Sequence, residues 1–356
     1  MIHFVMTGIK RGVMEDFLAF EGQGLASRMT LVTWEELAGT TELPPGTWVL
    51  ADLDGLGPAG MKLASSAHRA LSGARLPTLN HPGRTLLRFE LIETLHREGI
   101  NGFRAARATD DLRPLRSPVF VRGASDHYGS IGDLLYSPEE VRHLLERAES
   151  AGLALADLMV VEFQDTARAD GLYNKYGAFV VGDRVCPQHY LRGKPWMIKH
   201  NQSEFTEEIV EEEYRYVKDN PHEDALRDVF RLAGIGYGRV DYSVDRDGAL
   251  RIWEINLCPI VGETRTSTAR SSPPHLRPLR QRAKDIFQEE ITKAFEAVDE
   301  EAPADPERSA PSRASGVALD VPPEIRSGVI AELAPKTGGE GLLQLIRAKT
   351  FFGRRW

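Results

Sequence analysis

The sequence predicts a mixed α/β protein, and three patterns support this fold class. Residues 1–78 alternate short apolar runs with helix-compatible segments, which is typical of a small α/β domain with a parallel sheet. Residues 137–152 predict a helix that begins at a Ser-x-x-Glu capping box. Residues 238–256 place Asp247-Gly248 between two runs rich in Val, Tyr, Ile and Trp, which indicates a β-hairpin.

Length and composition describe an ordinary globular chain of more than one domain. The chain has 356 residues, of which 42% are hydrophobic and 27% are charged. Its net charge of −8 argues against nucleic-acid binding, which calls for a basic surface. The two cysteines, Cys186 and Cys258, form neither a disulfide framework nor a zinc-binding pattern, so a reducing compartment is expected.

The N-terminus and the hydropathy pattern predict a cytoplasmic protein. The basic residues of MIHFVMTGIKRG follow its apolar run, which is the wrong order for a secretory signal. No stretch approaches about 18 uninterrupted apolar residues, so no transmembrane segment is expected. A homodimer is compatible with the sequence.

Apolar periodicity and turn signals predict alternating helices and strands beyond residue 80. The expected elements are a helix from Leu87 to about Gly99, a strand at 118–123, a loop at 124–130, the helix at 137–152, strands at 157–163 and 176–190, an acidic helix at 206–219, a helix at 220–234, the hairpin and a helix at 277–298. In the ADLDG stretch, Asp52 and Asp54 are interpreted as turn residues.

These elements divide the chain into five parts. The predicted parts are an N-terminal α/β domain at 1–79, two α+β subdomains at 80–163 and 164–299, a disordered linker rich in Pro, Ala and Ser at 300–325, and an amphipathic tail at 326–356. The tail ends in Phe351, Phe352 and Trp356 among Arg and Lys residues. We expect it to fold back onto its own or a sister subunit, with docking on an anionic membrane or on a partner as the alternatives.

The Asp-Gly turn also fixes the register of the hairpin. A two-residue type I′ turn pairs Arg246 with Ala249, so that Asp241 lies opposite Glu254. Side chains then alternate between two faces with a period of two. The expected core face carries Val240, Tyr242, Val244, Trp253 and Ile255, and the expected polar face carries Arg239, Asp241, Glu254 and Asn256.

Two opposed carboxylates on a strand pair require a compensating charge. Like charges directly opposite each other cost roughly 0.2–1 kcal/mol. A divalent cation between Asp241 and Glu254 would reverse the repulsion, and the Asn256 carbonyl would add a neutral oxygen ligand. The alternative is a solvated polar face on which Arg239 screens Asp241.

This hairpin resembles the metal-binding segment of the ATP-grasp superfamily, especially its D-alanine:D-alanine ligase and related carboxylate-amine ligase branches. In that pattern an Asp is followed thirteen residues later by Glu, two residues later by Asn and three further on by Pro; Asp241, Glu254, Asn256 and Pro259 match it. The resemblance covers about residues 80–270 and implies an ATP-grasp fold with nucleotide bound between two α+β subdomains. No Walker P-loop and no HRD or DFG kinase motif is present in the sequence.

The resemblance further implies a set of nucleotide-contacting residues. Arg88 and Arg122 match positions where the family more often places lysine on the phosphates, and the resemblance implies that Lys175 substitutes for an arginine that some branches keep near Gly177. The other implied residues are Ser125, Gly129 and Ser130 in a phosphate-covering loop, Glu162 and Phe163 at the hinge whose backbone meets adenine, Asp165 at the ribose, and Arg192 and Asn201 at phosphate and substrate.

By the same resemblance the chain is an ATP-dependent carboxylate-amine ligase. The implied cofactors are ATP and two Mg²⁺ (or Mn²⁺) ions sharing Glu254, and the implied partners are small-molecule or peptide carboxylates and amines. A carboxylate would form an acyl phosphate that an amine then attacks, with Arg239 as the catalytic arginine that stabilises the developing charge. Two alternatives stay open, namely a phosphotransferase that stops after phosphoryl transfer and a non-catalytic nucleotide-binding regulatory domain.

Overall fold

The computed structural model describes residues 1–126, 128–199, 202–262, 272–300 and 316–334. These residues form three four-stranded sheets, one of them parallel and two antiparallel, and one two-stranded sheet. The predicted mixed α/β fold class is confirmed. Among the described helices, none is long and apolar enough to cross a membrane.

The N-terminal unit contains a parallel sheet, as its alternating apolar runs predict. Its elements are β1 (Ile2–Met6), α1 (Arg11–Phe20), β2 (Met29–Thr33), α2 (Trp34–Gly39), β3 (Glu42–Leu43), β4 (Thr47–Leu50), α3 (Pro58–Gly73) and β5 (Thr78–Leu79). The parallel sheet has the order β2-β1-β4-β5. Strands β1 and β4 are buried along their whole length, as continuous apolar strands of parallel sheets usually are.

The second unit is an antiparallel sheet flanked by two helices. Its elements are α4 (Arg88–Arg97), β6 (Ala105–Arg107), β7 (Val119–Gly123), β8 (Ser130–Leu135), α5 (Pro138–Ser150) and β9 (Leu158–Glu162), with strand order β6-β9-β7-β8. Helix α5 begins where predicted, because the Ser137 hydroxyl accepts a hydrogen bond from the Glu140 N–H. Strands β6 and β8 were not predicted, since both are short or polar.

The third unit carries the hairpin. Its elements are β10 (Tyr173–Val181), β11 (Arg184–Gly193), α6 (Glu207–Asp219), α7 (Glu223–Ala233), β12 (Tyr237–Val244), β13 (Leu250–Asn256) and α8 (Arg277–Glu300), with strand order β11-β10-β12-β13. The single strand predicted at 176–190 is wrong. The chain reverses between β10 and β11 through Gly182, whose φ of 63° suits a residue without a Cβ.

The β12–β13 hairpin has the predicted register near its polar residues but a different turn. Asp241 pairs with Glu254, as predicted. However, Asp245 pairs with Ala249 across a three-residue loop, and only Gly248 of this loop has positive φ, so the two-residue type I′ turn is wrong. A β-bulge at Trp253 adds one residue to β13 and thereby restores the pairing of Asp241.

Two asparagine side chains join the units. Asn80 donates to the carbonyls of Leu50 in β4 and Tyr237 in β12, and its own carbonyl accepts from the Tyr237 N–H. Asn101 makes two hydrogen bonds to the backbone of Ile252, at 2.8 and 2.9 Å, and so occupies the outer edge of β13. The second unit is therefore attached directly beside the hairpin.

The C-terminal described segment packs on the N-terminal unit. It forms β14 (Val317–Ala318), which pairs with β3, and α9 (Pro323–Leu333), which contacts α2 and α3. Glu332 accepts from the N–H groups of Ala59 and Gly60 at the N-terminus of α3, where a carboxylate is favourable. The disordered linker predicted at 300–325 is therefore wrong over 316–325, because Leu319 and Val321 are buried. Of the predicted tail, residues 335–356 lie outside the described residues.

Candidate active site

A cavity of about 650 Å³ lies between the sheets of the second and third units. Its walls come from β7, from all four strands of the third unit and from α8, with one residue, Glu21, from the N-terminal unit. Its size falls within the range of small-ligand sites, roughly 300–1,000 Å³. The polar hairpin residues Arg239, Asp241, Glu254 and Asn256 all line it.

Asp241 is a buried carboxylate held by two cations of its own sheet. Its oxygens lie 3.0 Å from Lys175 Nζ and 2.9 Å from Arg239 Nε. Burial acts to raise the pKa of Asp241, but the charges of Arg239 and Lys175 outweigh burial and hold the pKa well below its ordinary value. Asp241 is therefore ionised at neutral pH.

Glu254 is held by two cations that come from the second unit. Arg88, at the start of α4, and Arg122, on β7, each place a guanidinium nitrogen 2.8 Å from its Oε2. The compensating charge that the carboxylate pair requires is therefore supplied by four cationic side chains, among them the Arg239 that the alternative interpretation placed beside Asp241. The sequence could not show this, since Arg88 and Arg122 are more than 130 residues away from Glu254.

The donor set fits a metal ion together with a polyphosphate better than a metal ion alone. Among the described residues no group of three or more His, Cys, Asp or Glu could hold a metal. Asp241 and Glu254 supply two carboxylates, Asn256 adds an amide oxygen, and four cations leave an excess of positive charge. Mg²⁺ commonly takes one or two protein carboxylates and completes its shell with substrate phosphates and water.

One end of the cavity is aromatic. Phe120, Phe163, Trp196 and Trp253 line it, and the Trp196 ring lies 4.9 Å from Phe120 and 5.7 Å from Phe163 between ring centroids. Trp253 reaches this wall because it is the bulge residue and shares a face with Glu254; its predicted place on the core face is wrong. Flat apolar walls of this kind suit a planar base.

The structure separates the predicted nucleotide contacts into three groups. Arg122, Gly129, Phe163 and Lys175 line the cavity. Arg88, Ser125, Ser130, Glu162, Asp165 and Arg192 are not among the lining residues, and Asn201 lies outside the described residues. Ser125 and Asp165 are exposed, and the Ser130 hydroxyl donates to the Gly132 carbonyl.

Three of the predicted contacts instead have structural partners. Arg88 donates to the carbonyls of Gly123 and Ala124 besides its pairing with Glu254, so it braces the end of β7. The Glu162 carboxylate is buried and lies 2.7 Å from Arg116. The Arg192 guanidinium is paired with Asp170 and with Glu208, the latter at 3.0 Å.

The hinge backbone expected at adenine is also partly occupied. The Glu162 N–H donates to the Arg104 carbonyl and the Phe163 N–H donates to the Pro118 carbonyl at 2.8 Å. Neither N–H is therefore available for a base edge.

Sequence reasoning missed several residues of the cavity. Gln188 and His189 lie on β11, and Glu21, Lys284 and Gln288 also line the cavity. Burial lowers the pKa of Lys284, while the carboxylates of Glu213 and Glu21 act to raise it. No periodic pattern marks these residues, since a second β-bulge places Gln188 on the face of His189.

Asp52 connects the N-terminal unit to the end of the hairpin. It lies in the turn after β4 with φ of 56°, its N–H donates to the Leu257 carbonyl, and its carboxylate accepts from the Thr7 hydroxyl and N–H. Burial raises the pKa of Asp52 from 3.8 to about 6, against the effect of the Thr7 hydrogen bonds.

Asp52→Asn is therefore expected to stabilise the protein above pH 6. A raised carboxyl pKa makes ionisation in the folded state costly, so stability is lost as the pH rises from about 4 to about 6. The shift is worth at most roughly 3 kcal/mol, at 1.36 kcal/mol per unit. Urea unfolding should show that Asp52→Asn is more stable than the wild type at pH 8 and equally stable at pH 4. The exposed Asp219→Asn serves as the control; a wild type more stable than Asp52→Asn at pH 8 would contradict the assignment.

Comparison with known proteins leaves the family open. No family model and no curated protein matches this sequence. Among solved structures, the D-alanine-D-alanine ligase from Coxiella burnetii aligns with 83% of this chain and 97% of its own, at 14% sequence identity and a TM-score of 0.41. A likeness this distant says nothing about what the chain binds.

Proposed function

We propose that the chain is an ATP-grasp enzyme, an ATP-dependent ligase that joins a carboxylate to an amine through an acyl phosphate. The observation that carries this proposal is the polar row of Asp241, Glu254 and Asn256 facing a cavity with an aromatic end and an excess of cations. The aromatic end would take the base, and the cations would take the phosphates.

Each of the polar and charged residues that line the cavity near this row has a role that follows from its position. Lys175 and Arg122 line the cavity and would exchange their carboxylate partners for phosphate oxygens. Asp241, Glu254 and Asn256 would hold Mg²⁺, which when bound neutralises phosphate charge and polarises the transferred phosphoryl group. Arg239 would stabilise the carboxylate during acyl phosphate formation and then the charge that develops when the amine attacks.

The pairing of Glu254 with arginine side chains implies that ATP and Mg²⁺ depend on each other for binding. A nucleotide that draws Arg122 onto its phosphates would remove one of the two guanidinium groups that now compensate Glu254, and so leave more of its negative charge for the metal. ATP and Mg²⁺ should therefore bind cooperatively, whereas Mg²⁺ alone meets carboxylates already paired with cations. This cooperativity separates a nucleotide-linked metal site from a simple cation site.

The first test is calorimetric titration with ATP, with and without Mg²⁺. We expect binding that requires both, weakened about 10–100-fold in Arg122→Gln because a charge-assisted hydrogen bond is lost. Arg107→Gln is the matched control, since Arg107 lies on the same sheet but outside the cavity lining. Equal ATP affinity in Arg122→Gln and wild type would show that the nucleotide does not lie here.

An ADP-release screen over amino acids and dipeptides, singly and in pairs, then separates the reaction classes. A ligase releases ADP steadily only when carboxylate and amine are both present. A phosphotransferase releases ADP with one substrate, and a regulatory domain binds ATP without releasing ADP.

A further inference from the structure

We infer that Gln188 is the positioning residue of Arg239, the arginine assigned to the acyl phosphate step. This inference rests on the proposed function. The side-chain amide of Gln188 holds the Arg239 guanidinium in one orientation and leaves a single nitrogen, Nη2, for the substrate carboxylate. The same amide ties the segment after β13 to this guanidinium, so that the arginine and the neighbouring wall of the cavity are fixed together.

A β-bulge places Gln188 in the cavity. Pro187 and His189 pair with consecutive residues of β10, so Gln188 is the extra residue on β11. Neighbouring residues of a regular strand face opposite sides, but at a bulge both can face the same side, and Gln188 and His189 both line the cavity. Gln188 is half-buried and reaches across β10 to the guanidinium of Arg239 on β12.

The hydrogen bonds of Gln188 fix the orientation of its side-chain amide. Its Nε2 donates to the Ile260 carbonyl at 3.1 Å and to the Val261 carbonyl at 2.9 Å, which uses both N–H donors. Its Oε1 accepts from Arg239 Nη1 at 3.1 Å. A flipped amide would place its NH₂ group against a guanidinium and its oxygen against two carbonyls, so only one orientation satisfies these contacts.

Gln188 and Asp241 together hold two nitrogens of the Arg239 guanidinium. Nε lies 2.9 Å from the Asp241 carboxylate, and Nη1 donates to Gln188 Oε1. The remaining nitrogen, Nη2, makes no hydrogen bond to the described residues, and it is not one of their buried polar atoms without a partner, so it keeps accessible surface. Because Arg239 lines the cavity, Nη2 is the nitrogen left for a substrate oxygen.

The bond to Gln188 adds a restraint that Asp241 alone does not provide. A guanidinium held only at Nε can still rotate about the bond between Nε and its central carbon, which exchanges the positions of Nη1 and Nη2. The second hydrogen bond, at Nη1, opposes this rotation and orders the arginine before the substrate binds. Since a small misplacement of a reacting group can cost about 10²-fold in rate, Gln188 contributes to the rate without contacting the substrate.

The anchors of the Gln188 amide belong to the cavity wall. Ile260 and Val261 follow β13, the strand that carries Glu254 and Asn256, and both line the cavity. The amide therefore connects the arginine on β12 with the segment that leaves β13. The relative position of the polar row and of this wall depends on one side chain.

The first experiment reads the guanidinium without any substrate. In ¹⁵N-arginine-labelled full-length protein, slow rotation should give Arg239 separate Nη1 and Nη2 signals, assigned by their loss in Arg239→Ala. Gln188→Met keeps the side-chain length without its hydrogen bonds and should merge these signals, whereas Gln188→Glu keeps an acceptor oxygen and should preserve them. Merged signals in the wild type, separate signals in Gln188→Met, or merged signals in Gln188→Glu would overturn the inference.

The second experiment tests whether Gln188 acts through Arg239. Steady-state ADP release is measured at saturating ATP and Mg²⁺ with an equimolar pool of amino acids and dipeptides. Gln188→Met should lower the rate about 10–100-fold, with ATP affinity unchanged in calorimetric titration. In the Arg239→Ala background the same substitution should change the rate by less than about 2-fold. Gln281→Met, on the exposed face of α8, is the control and should change neither rate nor affinity.

The outcomes separate the positioning role from its alternatives. An equal loss of rate from Gln188→Met in both backgrounds would overturn the inference, because Gln188 would then act through another neighbour such as His189, whose Nδ1 lies 3.1 Å from the same Oε1. A lower urea midpoint with an unchanged rate would also overturn it. Absence of ADP release by the wild type would overturn the ligase proposal and the role in its rate, whereas the NMR comparison would still decide whether Gln188 holds Arg239.

Discussion

Glu254→Gln is expected to lower Mg²⁺-dependent ATP turnover by about 10³-fold or more. A metal ligand contributes several kcal/mol to stabilising the transferred phosphoryl group, and each 1.36 kcal/mol is a factor of ten in rate. Steady-state ADP release at saturating ATP measures the effect. Unchanged turnover would remove Glu254 from the metal site.

The same substitution should also destabilise the protein, although it removes a repulsion between carboxylates. Arg88 and Arg122 are buried and lie 2.8 Å from Glu254, so Gln leaves two guanidinium groups without their counter-charge. Breaking a buried pair in this way costs about 3–5 kcal/mol. Chemical denaturation should therefore show a lower midpoint, and turnover has to be measured below it.

Glu162→Gln provides the matched control for this destabilisation. Glu162 is a buried carboxylate of the second unit, which also supplies Arg88 and Arg122; it is paired with Arg116 at 2.7 Å but does not line the cavity. We expect it to lose stability while keeping turnover. A parallel loss of turnover in Glu162→Gln would mean that the effect of Glu254→Gln reports instability rather than a lost ligand.

The sequence was sufficient for the parts of the fold that depend on local patterns. The continuous apolar strands of the N-terminal unit, the Ser137 cap of α5 and the pairing of Asp241 with Glu254 all follow from periodicity and capping chemistry. The pairing is correct for a partly wrong reason. The turn is one residue longer than predicted, and the bulge at Trp253 compensates for it.

The rest of the site depends on contacts that no local pattern encodes. Bulges place Gln188 and Trp253 on the cavity face. A regular strand, whose side chains alternate with a strict period of two, would place both residues on the opposite face. The partners of Glu254 come from another unit, so its charge balance is a property of the folded chain. The short apolar segment 316–321 becomes ordered by pairing with β3 and burying Leu319 and Val321, which the Pro-, Ala- and Ser-rich composition of the surrounding residues 300–325 does not show.

Asp241→Asn is expected to reduce both stability and turnover, and a second substitution separates the two effects. The Asp241 carboxylate neutralises the charges of Lys175 and Arg239. Its loss leaves two partly buried cations without this counter-charge and should lower the free energy of unfolding by about 3–5 kcal/mol at neutral pH. Because the pKa of Asp241 is depressed in the folded state, this difference from wild type should shrink as the pH falls below the ordinary Asp value of about 3.9.

Adding Lys175→Met to Asp241→Asn removes one of the stranded cations and should recover part of the lost stability. It should not recover ATP turnover, because the metal ligand is still missing and a phosphate contact has been lost as well. Denaturant titrations and ADP release on the wild type, both single variants and the double variant form a complete cycle. If the double variant regained turnover along with stability, Asp241 would be a structural counter-charge for Lys175 and not a ligand of the reacting nucleotide's metal.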